Sequence, residues 1–291
     1  MDSGTIQANS QLLTNGASGT FTMSGGTLAV NTLANDGSTN LVFAGGTLQP
    51  LSANADWSAA LVVDNTLTLN AADAGGLVRT NALSGTLSGG GTLNVIGAGK
   101  LSVNGTDTSG GWINVQDGAT LGGTGRVGNV QVFSNATLAA GNSIGTLTAT
   151  NLTLAGGAHL QVELNATGGV AGVDWDLIRV NGPAALSGIS SNAFLAVDVV
   201  NYGGLDGALA PLTTLSWNIL DASGGITGYD PGAFVVNPTG FDGWTNGTWS
   251  VAQAGNSLLV SYVAIPEPVS AALVFLLGGA LVGWRRMRRW G

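Results

Sequence analysis

The pair Thr-Leu returns at Thr27-Leu28, Thr47-Leu48, Thr66-Leu67 and Thr86-Leu87, at intervals of 20, 19 and 20 residues. Two of these copies read GGTL, at 25–28 and 45–48. A fixed short period constrains the fold more than any other feature of this chain. It marks stacked units, each too small to bury an apolar side alone. Further along, GGGTLNVIG (89–97), GKLSVNG (99–105), GATLGGTG (118–125), NATLAAGNSIGTLTATNLTLAGG (135–157) and AHLQVEL (158–164) continue the theme at less regular intervals. Alternation such as Leu152-Thr153-Leu154 or Leu160-Gln161-Val162-Glu163-Leu164 has the period of two that buries one side of a strand and wets the other. Gly and Asn between these runs supply the corners. The reading is an all-β chain wound as a parallel β-helix, or solenoid. The competing architecture is an antiparallel β-sandwich body, which predicts hairpins and a Greek key in place of a fixed rung.

Composition supports β structure and narrows the partners. Charged residues make up 8 % of the 291 positions, against about a quarter in ordinary soluble domains, while Gly alone supplies 48. The helix formers Glu and Lys are nearly absent. All 16 acidic residues lie at or before Glu267, with only Arg79, Lys100, Arg126 and Arg179 to oppose them, so residues 1–284 carry a net charge of −12. Such a body is repelled by a phosphate backbone, which argues against nucleic acid as a partner. Without cysteine there is no disulfide framework, thiol nucleophile or Cys-ligated zinc.

From about Leu205 to Val263 the period fades and aromatics rise, with Trp217, Tyr229, Phe234, Phe241, Trp244, Trp249 and Tyr262. This reads as a β-rich cap over the open end of the solenoid, with strands at 215–220 and 257–263. The functional alternative for these rings is a platform for sugars. The chain thus divides into a repeat region at 1–204, a cap at 205–263 and a C-terminal segment at 264–291.

That last segment places Pro266, Glu267 and Pro268 before sixteen uncharged positions, 269–284, and then Arg285, Arg286, Arg288 and Arg289. At about 1.5 Å per residue the apolar run spans roughly 24 Å as a helix, a little short of a hydrocarbon core near 30 Å. Trp284 at the interface and snorkelling arginines make up the difference, giving a single C-terminal transmembrane helix. The four arginines are expected to stay cytoplasmic and set the orientation, leaving 1–267 on the far side. The two prolines keep the junction out of helix and ladder, as an extended segment that a protease can grip.

The order of motif, apolar span and basic end, with the lead-in TWSVAQAGNSLLVSYVAIPEP (248–268), resembles the PEP-CTERM sorting signal of Gram-negative bacteria. The resemblance implies recognition by an exosortase-type membrane protease, transient anchoring in the inner membrane, and cleavage around the motif. It also implies delivery of the body to the cell surface or extracellular matrix, in the company of exopolysaccharide. The run from about Gly118 to Gly188, including GATLGGTGRVGNVQV and DWDLIRVNGPAALSG, resembles the β-helical passenger regions of autotransporter-type surface proteins. No counterpart of the outer-membrane barrel that closes that family is expected from the residues that follow Gly188 here. The start, MDSGTIQANSQLLTNGASGTF, shows neither a basic n-region nor an apolar h-region. It is therefore expected to be internal to a longer exported chain, or a misassigned start.

Few residues promise chemistry. GTGRVG (123–128) matches a dinucleotide fingerprint but leads into the strand-like NVQVF, with no helix N-terminus to hold a pyrophosphate. GAGKL (97–101) has Asn94 and Leu101 where a phosphate-binding loop needs Gly and Ser or Thr. GGVAGVDWD (168–176) approaches a calcium-roll repeat with one residue too many and only one copy. Asp174 and Asp176 are expected on one side of a strand, and paired carboxylates are the equipment of glycosidases. The competing role for them is turn and rung capping. His159 reads as a solvated strand residue. No catalytic residue, cofactor or metal is expected. The functional reading is a non-catalytic exported surface or matrix protein, structural or adhesive. The alternative is a secreted polysaccharide-active enzyme, a lyase or glycosidase, using Asp174 and Asp176.

Overall fold

The computed structural model describes residues 4–14, 19–35, 39–116, 118–205, 213–242, 244 and 247–265. The chain winds through three sheet faces per turn, and successive turns stack strand on strand. Face A contains Thr47–Gln49, Thr66–Asn70, Thr92–Ile96, Trp112–Val115 and Ala184–Ser187. Face B contains Arg79–Leu83, Gly99–Val103, Ala119–Gly123, Thr137–Ala140, His159–Leu164, Leu195–Asn201 and Phe234–Thr239. Face C begins with Gly19–Met23, Thr39–Phe43, Leu61–Val63 and Leu87–Ser88, and continues through Leu177–Val180.

Long strands carry the chain round the corners. Thr5–Thr14 and Thr27–Asn35 run from A into B, while Arg126–Val132 and Thr146–Ala155 run from C into A. Isolated bridges aside, every strand pair formed within residues 5–239 is parallel. This overturns the antiparallel sandwich alternative. A rung of about one helical turn sets each strand over its counterpart in the next turn, and no hairpin is needed.

The core is a set of aliphatic columns. On face A, Leu28, Leu48, Leu69, Val95, Val115, Val132, Leu154 and Leu186 stand in register through seven successive pairings. All are buried. Each such side chain contributes about 1.5–3 kcal/mol relative to exposure. Their outward neighbours form polar ladders: Asn114 Nδ2 donates to Asn94 Oδ1 at 3.0 Å and Asn151 Nδ2 to Asn129 Oδ1 at 2.7 Å.

The Thr-Leu period holds for two rungs and then slips. Thr27 pairs with Thr47, but Thr47 pairs with Thr68, two places beyond the Thr66 that the spacing predicts. Leu87 of the fourth copy lies on face C, paired with Leu61. For this fourth copy the cause is an insertion after Asn70. Ala72 and Val78 bridge antiparallel around a turn in which the Asp73 carboxylate accepts from the N–H groups of Gly75 and Leu77, both at 2.9 Å. That excursion lengthens the rung and rotates the next copy off face A.

Parallel stacking continues into the aromatic-rich segment, where Thr214–Ala222 pairs with Leu177–Val180 and Phe234–Thr239 with Leu195–Asn201. Pro238, which has no N–H to give, sits in Phe234–Thr239, an edge strand that needs none on its open side. The end is closed by an antiparallel pair, Gly247–Ala254 with Ser257–Ala264, the latter also pairing with Thr214–Ala222. Trp217, Trp244 and Trp249 stack with centroids 5.8–6.1 Å apart. Trp217, Trp244 and Tyr262 are buried and serve as core, with Tyr229, Phe234, Phe241 and Trp249 partly buried against it.

Among the described residues no helix is long and apolar enough to cross a membrane. The sorting motif Pro266, Glu267 and Pro268, the expected span 269–284 and the arginines at 285, 286, 288 and 289 lie outside the described residues.

Candidate functional site

Several ionisable groups of the body, among them Lys100, His159 and Asp198, lie on the outside of face B. Leu101, Leu121, Leu138, Leu160 and Val197 are in register and point inward. Alternation then turns two rows outward. One reads Thr80, Lys100, Thr120, Thr137, His159; the other reads Ala82, Ser102, Gly122, Ala139, Gln161, Asp198, Asn237. The small residues of the second row leave a trench. A Cβ added at Gly122 would collide with the Ala139 carbonyl and with Cε of Lys100, so the lysine stem lies across that glycine. The result is an open groove of about 400 Å³ lined by Arg79, Thr80, Lys100, Thr120, Ala139 and Gln161, with Val78 at its rim.

Lys100, on this groove, lies near enough to Glu163 and Asp176 to feel their charge, without an ion pair to either. Lys100 Nζ donates to the Gly141 carbonyl at 2.9 Å. Burial pulls its pKa down, opposed by the charges of Glu163 and Asp176. Asp176 is 2 % exposed and fastens two rungs: Oδ1 accepts from Gly145 N–H at 2.9 Å and Oδ2 from Glu163 N–H at 2.8 Å. Burial pushes it up to about 7, against the pull of those two donors. Burial also raises Glu163, whose Oε2 is buried without a hydrogen-bond partner.

Further along the face, Nδ1 of His159 lies 2.7 Å from Asp198 Oδ2, and Asp198 Oδ1 accepts from Asn237 Nδ2 at 2.8 Å. His159 thus sits outward on its strand and joins a chain across three rungs. At the opposite end of the groove, Arg79 Nε donates to Asp73 Oδ2 at 2.7 Å, and its Nη2 holds both Asp73 and the Ser52 carbonyl.

Asp174 and Asp176 do not share one side of a strand. Both lie in the excursion between His159–Leu164 and Leu177–Val180. There Gly169 and Gly172, at φ 139° and 81°, break the extended run. Asp174 Oδ2 accepts from Val170 N–H at 2.8 Å and closes a turn, while Asp176 turns inward to the rungs. GAGKL spans the A-to-B corner before Gly99–Val103, and GTGRVG the corner between Ala119–Gly123 and Arg126–Val132. Among the described residues no three acidic or histidine side chains converge as metal ligands. Lys100 and Glu163 had no signal in the sequence, since only rung stacking brings positions 100, 163 and 176 together. No protein-family model and no curated relative matches the chain.

The arrangement offers an ammonium, an arginine, hydroxyls and an amide along a trench. It does not bring Asp174 and Asp176 together, since one closes a turn and the other fastens rungs. Asp176 has both oxygens engaged by backbone N–H groups and is almost fully covered.

Proposed function

We propose that this chain is a non-catalytic exported surface or matrix protein whose β-helix is a spacer and adhesive body. It is held at the inner membrane by a C-terminal helix until an exosortase-type protease releases it to the cell surface or matrix. The observation that carries this reading is the use of the carboxylates. Asp73, Asp107, Asp174, Asp176 and Asp230 accept from backbone N–H groups of turns and rungs, and Asp221 accepts from Asn218 Nδ2. Acidic side chains here fasten the solenoid, as capping carboxylates do. The apolar span and arginines at 285–289 support the membrane step.

The test is intact-mass analysis of culture medium and membrane fraction from strains with and without the sorting protease. A released form ending near Pro266, found only with the protease, is the expected result. Full-length protein in the membrane of both strains would sink the sorting claim. The second reading, a polysaccharide-active enzyme, draws on the burial of Asp176, which pushes its carboxyl up toward neutrality as a general acid requires. Turnover of a polysaccharide that disappears in both Asp174→Asn and Asp176→Asn would establish it.

A further inference from the structure

Building on the reading of a matrix-associated protein, we infer that the face B groove binds an extended carboxylated polysaccharide, with Lys100 taking a carboxylate. Shape is the first argument. Arg79, Lys100, Thr120, Ala139 and Gln161 belong to five successive strands, so the groove crosses four inter-strand steps, about 19 Å at ~4.8 Å each. An open trench of that length suits a linear chain of several rings better than a compact ligand. Its floor includes Ala139, where a larger side chain would fill it, while the Lys100 stem rests across Gly122.

Chemistry is the second argument. The strands beneath the groove use their backbone groups in the rung ladders, so a ligand lying across them is read by side chains. An extended peptide is best held by a free strand edge, which the middle of this face does not present. The side chains offered are two threonine hydroxyls, the Gln161 amide and the Lys100 ammonium. Val78, 68 % exposed, adds an apolar lip. That mixture matches a sugar ring, which has hydroxyl edges and apolar C–H faces.

Charge is the third. The net charge of the body opposes a polyanion, so local charge has to decide: of the four basic residues in 1–284, two, Arg79 and Lys100, line this one groove. Arg79 is committed to Asp73 and Ser52. Lys100 donates one hydrogen bond, to Gly141, and an ammonium has three to give. The carboxyls beside it, Glu163 and Asp176, are both held toward their neutral forms by burial, which leaves the ammonium able to take a ligand carboxylate.

The test is affinity electrophoresis of the full-length chain in mild detergent, with polygalacturonate as the acidic probe and dextran as the neutral one. Binding to polygalacturonate is expected, with dextran weaker by a factor of about ten or more. Lys100→Gln should lower the polygalacturonate affinity about tenfold. Arg126→Gln, which removes the same charge from the exposed outer side of face C, should change it less than about twofold. Thr120→Trp fills the groove from an outward position, keeps Lys100, and should match the Lys100→Gln loss. The proposal is overturned by no polygalacturonate binding, by equal binding of dextran, by equal losses in the lysine and Arg126 variants, or by a Thr120→Trp variant that binds normally. Protease-dependent release is read separately by mass, so loss of the groove proposal leaves the sorting claim standing or falling on its own result.

Discussion

Faces A and B are made by the same rungs and have the same inner construction, columns of aliphatic side chains in register. Outside they part company. Face A turns out Asn, Gln and Thr that bond to one another from rung to rung, as Asn94 does with Asn114 and Asn129 with Asn151. Face B turns out Lys100, His159, Gln161 and Asp198, and it has glycine and alanine where face A has amides. A self-satisfied ladder has little left for a ligand. A face with small residues, a lysine and hydroxyls has both space and unused donors. On a solenoid, then, the inward positions specify the fold, and the outward positions of one face are free to carry a function without disturbing it.

The comparison breaks first, and hardest, if the two interiors are not equivalent. Leu154→Ala on face A and Leu160→Ala on face B each remove a fully buried side chain and should each cost about 3 kcal/mol, read from urea midpoints. The outward Thr153→Ala should cost less than about 0.5 kcal/mol. A large difference between the two leucines would mean that one face is not load-sharing core.

The next effect belongs to face B alone. Burial keeps the Asp176 proton on to about pH 7 in the folded chain, against an ordinary value of 3.8, so the folded state holds the extra proton between those values. Stability therefore falls as pH rises through that window, by about 2–3 kcal/mol from pH 5 to pH 7.5. Glu163 is raised by burial as well and adds in the same direction. Asp176→Asn should flatten the pH profile. A wild-type midpoint that climbs between pH 5 and 7.5 would contradict the burial-driven shift.

Smaller effects sharpen the outer surfaces. Asn114→Ala removes one rung of the face A ladder and should cost about 0.5–1 kcal/mol by the same denaturation assay. His159→Ala opens a half-exposed pair with Asp198 and should cost at most about 1 kcal/mol, with a loss that shrinks in high salt.

Much of the interior was legible in the sequence, because alternation and a short period are local signals. The columns through Leu28, Leu48 and Leu154 follow from them directly. The slip after Asn70 was not legible. Thr66-Leu67 and Thr86-Leu87 keep the spacing of the first two copies, yet the Asp73 turn inserted between them moves the last copy to face C. Composition alone does not show where a solenoid places its extra residues. The outer face of B was less legible still. Asp174 and Asp176 read as a strand pair because their spacing has the right period, whereas the glycines at 169 and 172 bend that stretch into a turn. The contacts that define the site, His159 with Asp198 and Asp176 with Gly145, join residues 39 and 31 positions apart, and rung length decides such pairings.

One measurement reaches the central claim, that this solenoid holds a polymer without cutting it. The full-length chain is incubated with polygalacturonate, and both partners are followed by size-exclusion chromatography with light scattering. The account predicts that protein and polymer co-migrate and that the polymer recovered afterwards has its original length. A shortened polymer would make the protein an enzyme and contradict the account.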